Sequence, residues 1–261
     1  MRNICFFAAV IALCAGCTTD RGLDPATDQM TSNNTYTSNA DAADPSKADT
    51  GLFFFRGEAD APFALVNAGG GFAYVAAMHD SFPQALEISR AGFNSFALIY
   101  RPDDPYADLA RALEVIVDGA SALQVKPAGY SLWGGSAGAR MAATGGNSAY
   151  IRALTGRQDF PAAAAVIMQY TGYTSADASD APTYANVGSA DGIASWRTMK
   201  TRIDRLGQLG IPTEFHLYEG LGHGYGLGTG TAAQGWVADA LAFWRRNIPG
   251  GDSGIRPVTV D

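Results

Sequence analysis

The chain has 261 residues, of which 47% are hydrophobic, and a formal net charge of -7. This length and apolar fraction are sufficient for one domain with a substantial core. The acidic balance, without a Lys/Arg cluster, argues against a nucleic-acid partner. All three cysteines lie at or before Cys17 and the three histidines are scattered. We therefore expect no internal disulfide in the rest of the chain, no metal and no cofactor.

Residues 1–17 have the features of a bacterial export signal. Arg2 precedes a short apolar stretch and then small residues before Cys17, and the stretch is too short for a permanent membrane-spanning helix. Ala15-Gly16-Cys17 is similar to a lipobox, but Cys14 stands where leucine is usual, so simple secretion remains open beside lipidation. We expect an exported protein that is attached to a bacterial membrane only through a lipid on Cys17.

Residues 18–50 are rich in Thr, Ser, Asn, Asp and Ala and contain few large apolar residues. Such a segment cannot bury enough surface to offset its chain entropy. The composition predicts a flexible tether over 18–50, a folded domain over 51–249 and a short tail over 250–261.

Strand-like and helix-like segments alternate from Leu52 onward. The predicted strands are Leu52–Phe55, Ala61–Asn67, Ser95–Tyr100, Tyr130–Trp133, Ala164–Met168, Pro182–Gly188 and Glu214–Tyr218. Apolar stripes at helical spacing run over Leu109–Leu123, Trp196–Leu206 and Trp236–Trp244. The alternation predicts an α/β protein in which helices cover both faces of a mainly parallel sheet, with ligands at the carboxyl ends of the strands and no large cap domain.

A glycine loop, Ala68-Gly69-Gly70-Gly71-Phe72, follows the second predicted strand. Without side chains, the N–H group of Gly70 or Gly71 can approach a ligand closely. A glycine triplet is also common in simple turns, but no Gly-Lys-Ser or Gly-Lys-Thr follows, which argues against a phosphate-binding P-loop. We expect this loop to donate hydrogen bonds to an oxyanion if the chain contains a nucleophile.

The segment Gly134-Gly135-Ser136-Ala137-Gly138 has the spacing of a nucleophile elbow. In such an elbow, a serine lies in a strained turn between a strand and a helix, and side chains at the flanking glycines would collide with both. The spacing can also arise as an ordinary strand-to-helix turn in a glycine-rich chain. The functional interpretation makes Ser136 the nucleophile and the Ala137 N–H group a second oxyanion donor.

A serine nucleophile needs an orienting carboxylate and a base. Asp191 follows a predicted strand and is the favoured carboxylate, ahead of Asp159, Asp177 and Asp180, which we interpret mainly as solvated loop charges. His223 lies in a glycine-rich loop after the last predicted strand, where it can reach the sheet edge. His79 is better explained as a cap or surface contact, and His216 as a strand residue.

Together, the glycine loop, the elbow, Ser189-Ala190-Asp191-Gly192 and His223-Gly224-Tyr225-Gly226 resemble the α/β-hydrolase esterases, especially acetyl-xylan-esterase-like and feruloyl-esterase-like bacterial proteins. The resemblance covers about residues 51–247. It implies Ser136 as nucleophile, His223 as base and acid, and Asp191 as orienting carboxylate, with Gly70, Gly71 and Ala137 around the oxyanion. Many relatives in the wider hormone-sensitive-lipase-like group have His before the glycine triplet, whereas this chain has Asn67-Ala68.

We therefore expect a serine esterase that removes a short acyl group, such as acetyl, from a carbohydrate or similar alcohol. Phe72, Trp133 and Tyr225 are candidates for the walls of the acyl or sugar site, or for the core. A small serine peptidase or amidase, and a surface lipoprotein that uses the fold only for binding, are the alternatives. The sequence does not indicate an oligomeric state.

Overall fold

The computed structural model describes the backbone of residues 8–11 and all of residues 50–251. The strands are β1 (Ala8–Ile11), β2 (Gly51–Phe55), β3 (Pro62–Asn67), β4 (Asn94–Ile99), β5 (Lys126–Gly135), β6 (Ala165–Gln169), β7 (Thr183–Gly188) and β8 (Thr213–Tyr218). The helices are α1 (Ala77–Asp80), α2 (Phe82–Arg90), α3 (Pro105–Asp118), α4 (Ala120–Leu123), α5 (Ala137–Gly145), α6 (Ser148–Thr155), α7 (Trp196–Gln208) and α8 (Trp236–Asn247).

The strands form one sheet in the order β1-β2-β4-β3-β5-β6-β7-β8. The β1–β2 and β2–β4 pairs are antiparallel and all the others are parallel. The mainly parallel sheet predicted from the sequence is confirmed, and β2 to β8 correspond to the seven predicted strands. β1 belongs to the predicted export signal, so removal of that signal would leave β2 at the sheet edge.

Helices cover both faces of the sheet, as predicted. Successive strand residues alternate between two buried clusters, so that Leu65 and Leu132 contribute to one cluster while Val66 and Trp133 contribute to the other. The first cluster contains residues of α3, α5, α6 and α7, and the second contains residues of α2 and α8. The central strands are consequently continuous apolar runs, which is typical of a parallel sheet that is buried on both sides.

The stripe over Leu109–Leu123 forms two helices rather than one. α3 ends at Asp118, Gly119 lies between the helices, and α4 ends at Leu123, after which Gln124 adopts a left-handed conformation. The stripes over Trp196–Leu206 and Trp236–Trp244 lie within α7 and α8.

Between β2 and α8 there is no inserted domain, which confirms the absence of a large cap from the described part of the chain. The connections at the carboxyl ends of the parallel strands are loops, and they include residues 68–76, 189–195 and 219–235. None of the helices within the described ranges is long and apolar enough to cross a membrane.

The predicted tether, apart from Thr50, and most of the C-terminal tail lie outside the described residues, as does Cys17.

Candidate active site

Ser136 connects β5 to α5 through a strained turn. Its φ of 53° and ψ of -115° lie outside the regions that non-glycine residues normally occupy, at a cost of about 1–3 kcal/mol. A Cβ atom on Gly138 would lie 2.0 Å from the carbonyl oxygen of Asn67, and one on Gly134 would lie 2.3 Å from the carbonyl carbon of Gly138. The glycine spacing of this segment is therefore a steric requirement of the turn.

The structure brings Ser136, His223 and Asp191 into one hydrogen-bonded chain. The Oγ atom of Ser136 lies 3.0 Å from Nε2 of His223, and Nδ1 of His223 lies 2.8 Å from Oδ2 of Asp191. The His223 side chain is 18% exposed, whereas that of Asp191 is fully buried. The imidazole can therefore exchange a proton at Nε2 while its Nδ1–H group remains bound to a carboxylate that water does not reach.

Asp191 is held in place by the start of the segment that leads to α7. Its Oδ1 atom accepts hydrogen bonds from the N–H groups of Ile193 and Ala194, both at 2.8 Å. Three donors thus share the two carboxylate oxygens, which offsets the cost of burying the charge. This arrangement also fixes the direction in which the second oxygen points toward His223.

The glycine loop lies beside Ser136, since a Cβ atom on Gly69 would be only 3.1 Å from the Cβ atom of Ser136. Gly70 and Gly71 have φ angles of 130° and 64°, which glycine adopts without strain. Within residues 50–251, neither of their N–H groups has a hydrogen-bond partner. The same is true of Ala137, the first residue of α5, because the first N–H groups of a helix lack intrahelical acceptors. Gly71 and Ala137 line the same cleft as Ser136, whereas Gly70 does not.

Three side chains hold the glycine-rich loop that carries His223. Nε2 of His79 donates to the carbonyl oxygen of Gly224 at 2.6 Å. Gln169 and Trp236 both donate to the carbonyl oxygen of Gly226, at 3.2 and 3.0 Å. Contacts from α1, β6 and α8 therefore position a loop that has no regular structure of its own.

Asp80 connects the glycine loop to the surroundings of His223, and sequence reasoning did not find it. Its buried carboxylate accepts hydrogen bonds from the Gly69 N–H group at 3.1 Å and from the Tyr170 hydroxyl at 2.9 Å. The Tyr170 ring packs edge-on against the ring of His223 at 4.9 Å. Burial, and next the charge of Asp80, raise the pKa of Tyr170 well above its usual value, so the phenol keeps its proton and donates it.

Ser136 and His223 line an open cleft of about 460 Å³ at the carboxyl edge of the sheet. Phe72 and Ile193 form an apolar part of its wall. Residues 170–175, the segment that follows β6, add hydroxyl groups to the wall. The cleft thus combines a nucleophile with a wall that can form several hydrogen bonds.

The other histidines and aromatic residues that the sequence analysis considered do not belong to the hydrogen-bonded chain of Ser136, His223 and Asp191. His79 is the predicted surface contact. His216 is a residue of β8, as predicted, and its ring stacks on that of Tyr184 in β7 with 4.7 Å between ring centres. Phe72 lines the cleft, whereas Trp133 is fully buried in the core. Tyr225 packs against Tyr170 and donates to Oδ1 of Asn186, so it helps to fix the loop that carries His223 and does not line the cleft.

The interpretation of Asp180 as a solvated loop charge is wrong. Its side chain is only 6% exposed and pairs at 3.4 Å with Arg202, which is itself buried. Asn147 also donates to Asp180. Asp159, in contrast, is 83% exposed, as expected for a loop charge. Local polarity alone did not reveal that an arginine on α7 would cover Asp180.

The chain has the α/β-hydrolase fold, as its strand order and its strained serine indicate and as solved structures of that fold confirm. An α/β-hydrolase enzyme from a Medee basin deep-sea metagenome library superposes with a TM-score of 0.65 at 20% identity, over 76% of this chain and 92% of that chain. Neither a family model nor a curated protein sequence matches the chain.

Two further similar structures come from named organisms. The Est2 esterase of Thermogutta terrifontis has a TM-score of 0.65 at 18% identity, over 78% of this chain and 90% of that chain. An acetyl ester-xyloside bifunctional hydrolase of Caldicellulosiruptor lactoaceticus has a TM-score of 0.62 at 18% identity, over 84% of this chain and 88% of that chain. At these identities the likeness establishes the fold.

Proposed function

We propose that the protein is a serine esterase that hydrolyses carboxylic esters of a short acyl group, with acetyl as the leading candidate, on a carbohydrate or similar alcohol. The observation that carries this proposal is the hydrogen-bonded chain from Ser136 through His223 to the buried carboxylate of Asp191. The similar solved structures described as esterases and as an acetyl ester-xyloside hydrolase agree with it.

The reaction proceeds through an acyl-enzyme. Oγ of Ser136 attacks the ester carbonyl while Nε2 of His223 removes the hydroxyl proton. The imidazolium is stabilised by Asp191, and it then protonates the departing alcohol. Water enters the open cleft, His223 removes one of its protons, and the resulting attack releases the carboxylic acid and restores Ser136.

The N–H groups of Ala137 and of the glycine loop stabilise the negative oxygen that forms at each attack. Gly71 is better placed than Gly70, because it lines the cleft and its N–H group has no partner within the protein. Such preorganised donors contribute about 3–4 kcal/mol each to transition-state stabilisation. Two side chains hold this loop. Asp80 accepts a hydrogen bond from the Gly69 N–H group, and the Tyr100 hydroxyl donates one to the carbonyl oxygen of Ala68.

The preference for a short acyl chain follows from the lack of an inserted cap. The chain between β2 and α8 has no inserted domain that could enclose a long acyl chain, so such a chain would gain little buried area. The hydroxyl groups of Thr171, Thr174 and Ser175 in the cleft wall suit a polyhydroxylated alcohol.

We expect kcat/KM to fall as the acyl chain of 4-nitrophenyl esters lengthens from acetate through butyrate to decanoate. The measurement is initial-rate release of 4-nitrophenol by the protein below the aggregation limit of each ester. A higher kcat/KM for decanoate than for acetate would contradict the short-chain proposal while leaving ester hydrolysis intact. Release of acetate from acetylated xylan and acetylated pectin then compares possible alcohol halves.

The cellular location remains a proposal that rests on residues 1–17. The leader and Cys17 suggest export and lipid anchoring, with the folded domain on the outer side of a bacterial membrane. Such a location would bring the cleft into contact with extracellular or periplasmic esters.

A further inference from the structure

Arg140 lines the cleft and, within residues 50–251, has no ion-pair partner. Among the lining residues, which all lie between Gly71 and His223, none is Asp or Glu, and Arg140 is the only Lys or Arg. The chain as a whole has a net charge of -7. Arg140 therefore puts a positive charge on the cleft wall of an acidic protein, and the N-terminus of α5 adds to this positive potential. The carboxylates of Asp80 and Asp191 lie close by, but both are buried and already hydrogen-bonded.

Arg140 lies one helical turn after the nucleophile. Its N–H group donates to the carbonyl oxygen of Ser136 at 3.2 Å, so the two residues lie on the same side of α5. Side chains on a helix lean toward its N-terminus. The Arg140 side chain is therefore expected to lean toward the start of α5, and it lines the same cleft as Ser136.

The guanidinium of Arg140 has an aromatic neighbour but no counter-charge among residues 50–251. Its Cζ atom lies 5.8 Å from the ring centre of Tyr173, which also lines the cleft. Within residues 50–251, its side chain has no ion-pair or hydrogen-bond partner. Arg202 lies 5.5 Å from the same ring, but it is buried and paired with Asp180. The two arginines beside Tyr173 thus differ, and only Arg140 has its charge available to a ligand.

We propose that Arg140 binds a carboxylate on the alcohol half of the substrate, so that the preferred esters are acylated hydroxy acids, a class that among carbohydrates includes the acylated uronic acids. This inference rests on the proposed esterase function, because a short acyl group leaves the alcohol half to occupy the rest of the cleft. A guanidinium can bind a carboxylate through two parallel hydrogen bonds. Tyr173 limits the directions that the guanidinium can take, which lowers the entropy cost of forming those bonds.

The test compares two acetate esters that differ in one charge, 4-acetoxybenzoate and its methyl ester. Acetate release is measured for both compounds, in the wild type and in Arg140→Gln. The readout is the ratio of kcat/KM for the anionic ester to kcat/KM for the neutral ester. Comparing this ratio between proteins removes the different intrinsic reactivity of the two esters. The same comparison with acetylated glucuronic acid and its methyl ester extends the test to a sugar.

We expect Arg140→Gln to lower this ratio about tenfold or more, since charge-assisted hydrogen bonds contribute at least that much. Arg140→Lys keeps the charge and should lie closer to the wild type. Arg197→Gln is the matched control, because Arg197 is also exposed and packs on an aromatic ring, Trp196, but lies outside the cleft. Added NaCl should lower the ratio of the wild type more than that of Arg140→Gln.

Equal ratios in the wild type and Arg140→Gln, with both esters still hydrolysed, would overturn the role of Arg140 and leave the esterase proposal standing. If the wild type hydrolysed neither the anionic nor the neutral ester, both proposals would be overturned.

Discussion

Replacement of Ser136 with Ala is expected to lower kcat for 4-nitrophenyl acetate by about 10⁵- to 10⁶-fold. The substitution removes the atom that forms the acyl-enzyme, while His223 and Asp191 remain bonded to each other. The residues of such a chain act as one unit, so loss of the nucleophile removes nearly the whole catalytic effect. Stopped-flow and steady-state assays of 4-nitrophenol release, corrected for spontaneous hydrolysis, measure the change.

The matched control for this variant is Ser121→Ala, because Ser121 is exposed on α4, away from the cleft. The control should keep wild-type kcat, and both variants should unfold at temperatures close to that of the wild type. If Ser136→Ala retained a tenth or more of the wild-type kcat, another nucleophile would have to perform the reaction.

Replacement of Asp191 with Asn is expected to lower kcat by about 10⁴-fold. The amide can still accept from the N–H groups of Ile193 and Ala194, so its NH₂ group turns toward Nδ1 of His223. Nδ1 then acts as an acceptor, and the ring proton moves to Nε2, where it faces Ser136 and cannot receive the hydroxyl proton. The variant should thus lose its base while keeping its shape.

Asp159→Asn serves as the control for the removal of a carboxylate, because Asp159 is 83% exposed. It should keep wild-type kcat/KM. A fall of less than tenfold in Asp191→Asn would mean that His223 keeps the productive tautomer without this carboxylate, which would exclude the assigned role.

Patterns confined to short segments account for what the sequence predicted correctly. Apolar runs such as the one in β3 define buried strands, and the alternation with helical stripes defines the layers of the fold. Backbone constraints were also visible, because only glycine fits at Gly134 and Gly138. The chain order of Ser136, Asp191 and His223, each placed after a predicted strand, was enough to expect that the three side chains meet.

Contacts between distant segments account for what the sequence did not reveal. Asp80 is buried because Gly69 and Tyr170 both donate to it, and no local pattern connects these positions. Asp180 looked solvated because its partner Arg202 lies on α7. The inference about Arg140 depends on the fact that no Asp or Glu of residues 50–251 lines the cleft, which only the folded chain shows.

Site-selective labelling with a fluorophosphonate probe shows whether His223 activates Ser136, because the probe reacts promptly only with a serine that a base activates. The sites of modification are read by mass spectrometry of peptides from the wild type, Ser136→Ala and Asp191→Asn. We expect one probe per wild-type molecule on Ser136, none in Ser136→Ala and much slower labelling in Asp191→Asn. An unlabelled wild type would exclude Ser136 as an activated nucleophile and favour a protein that uses this fold only for binding. A probe attached to a different serine would place the nucleophile elsewhere.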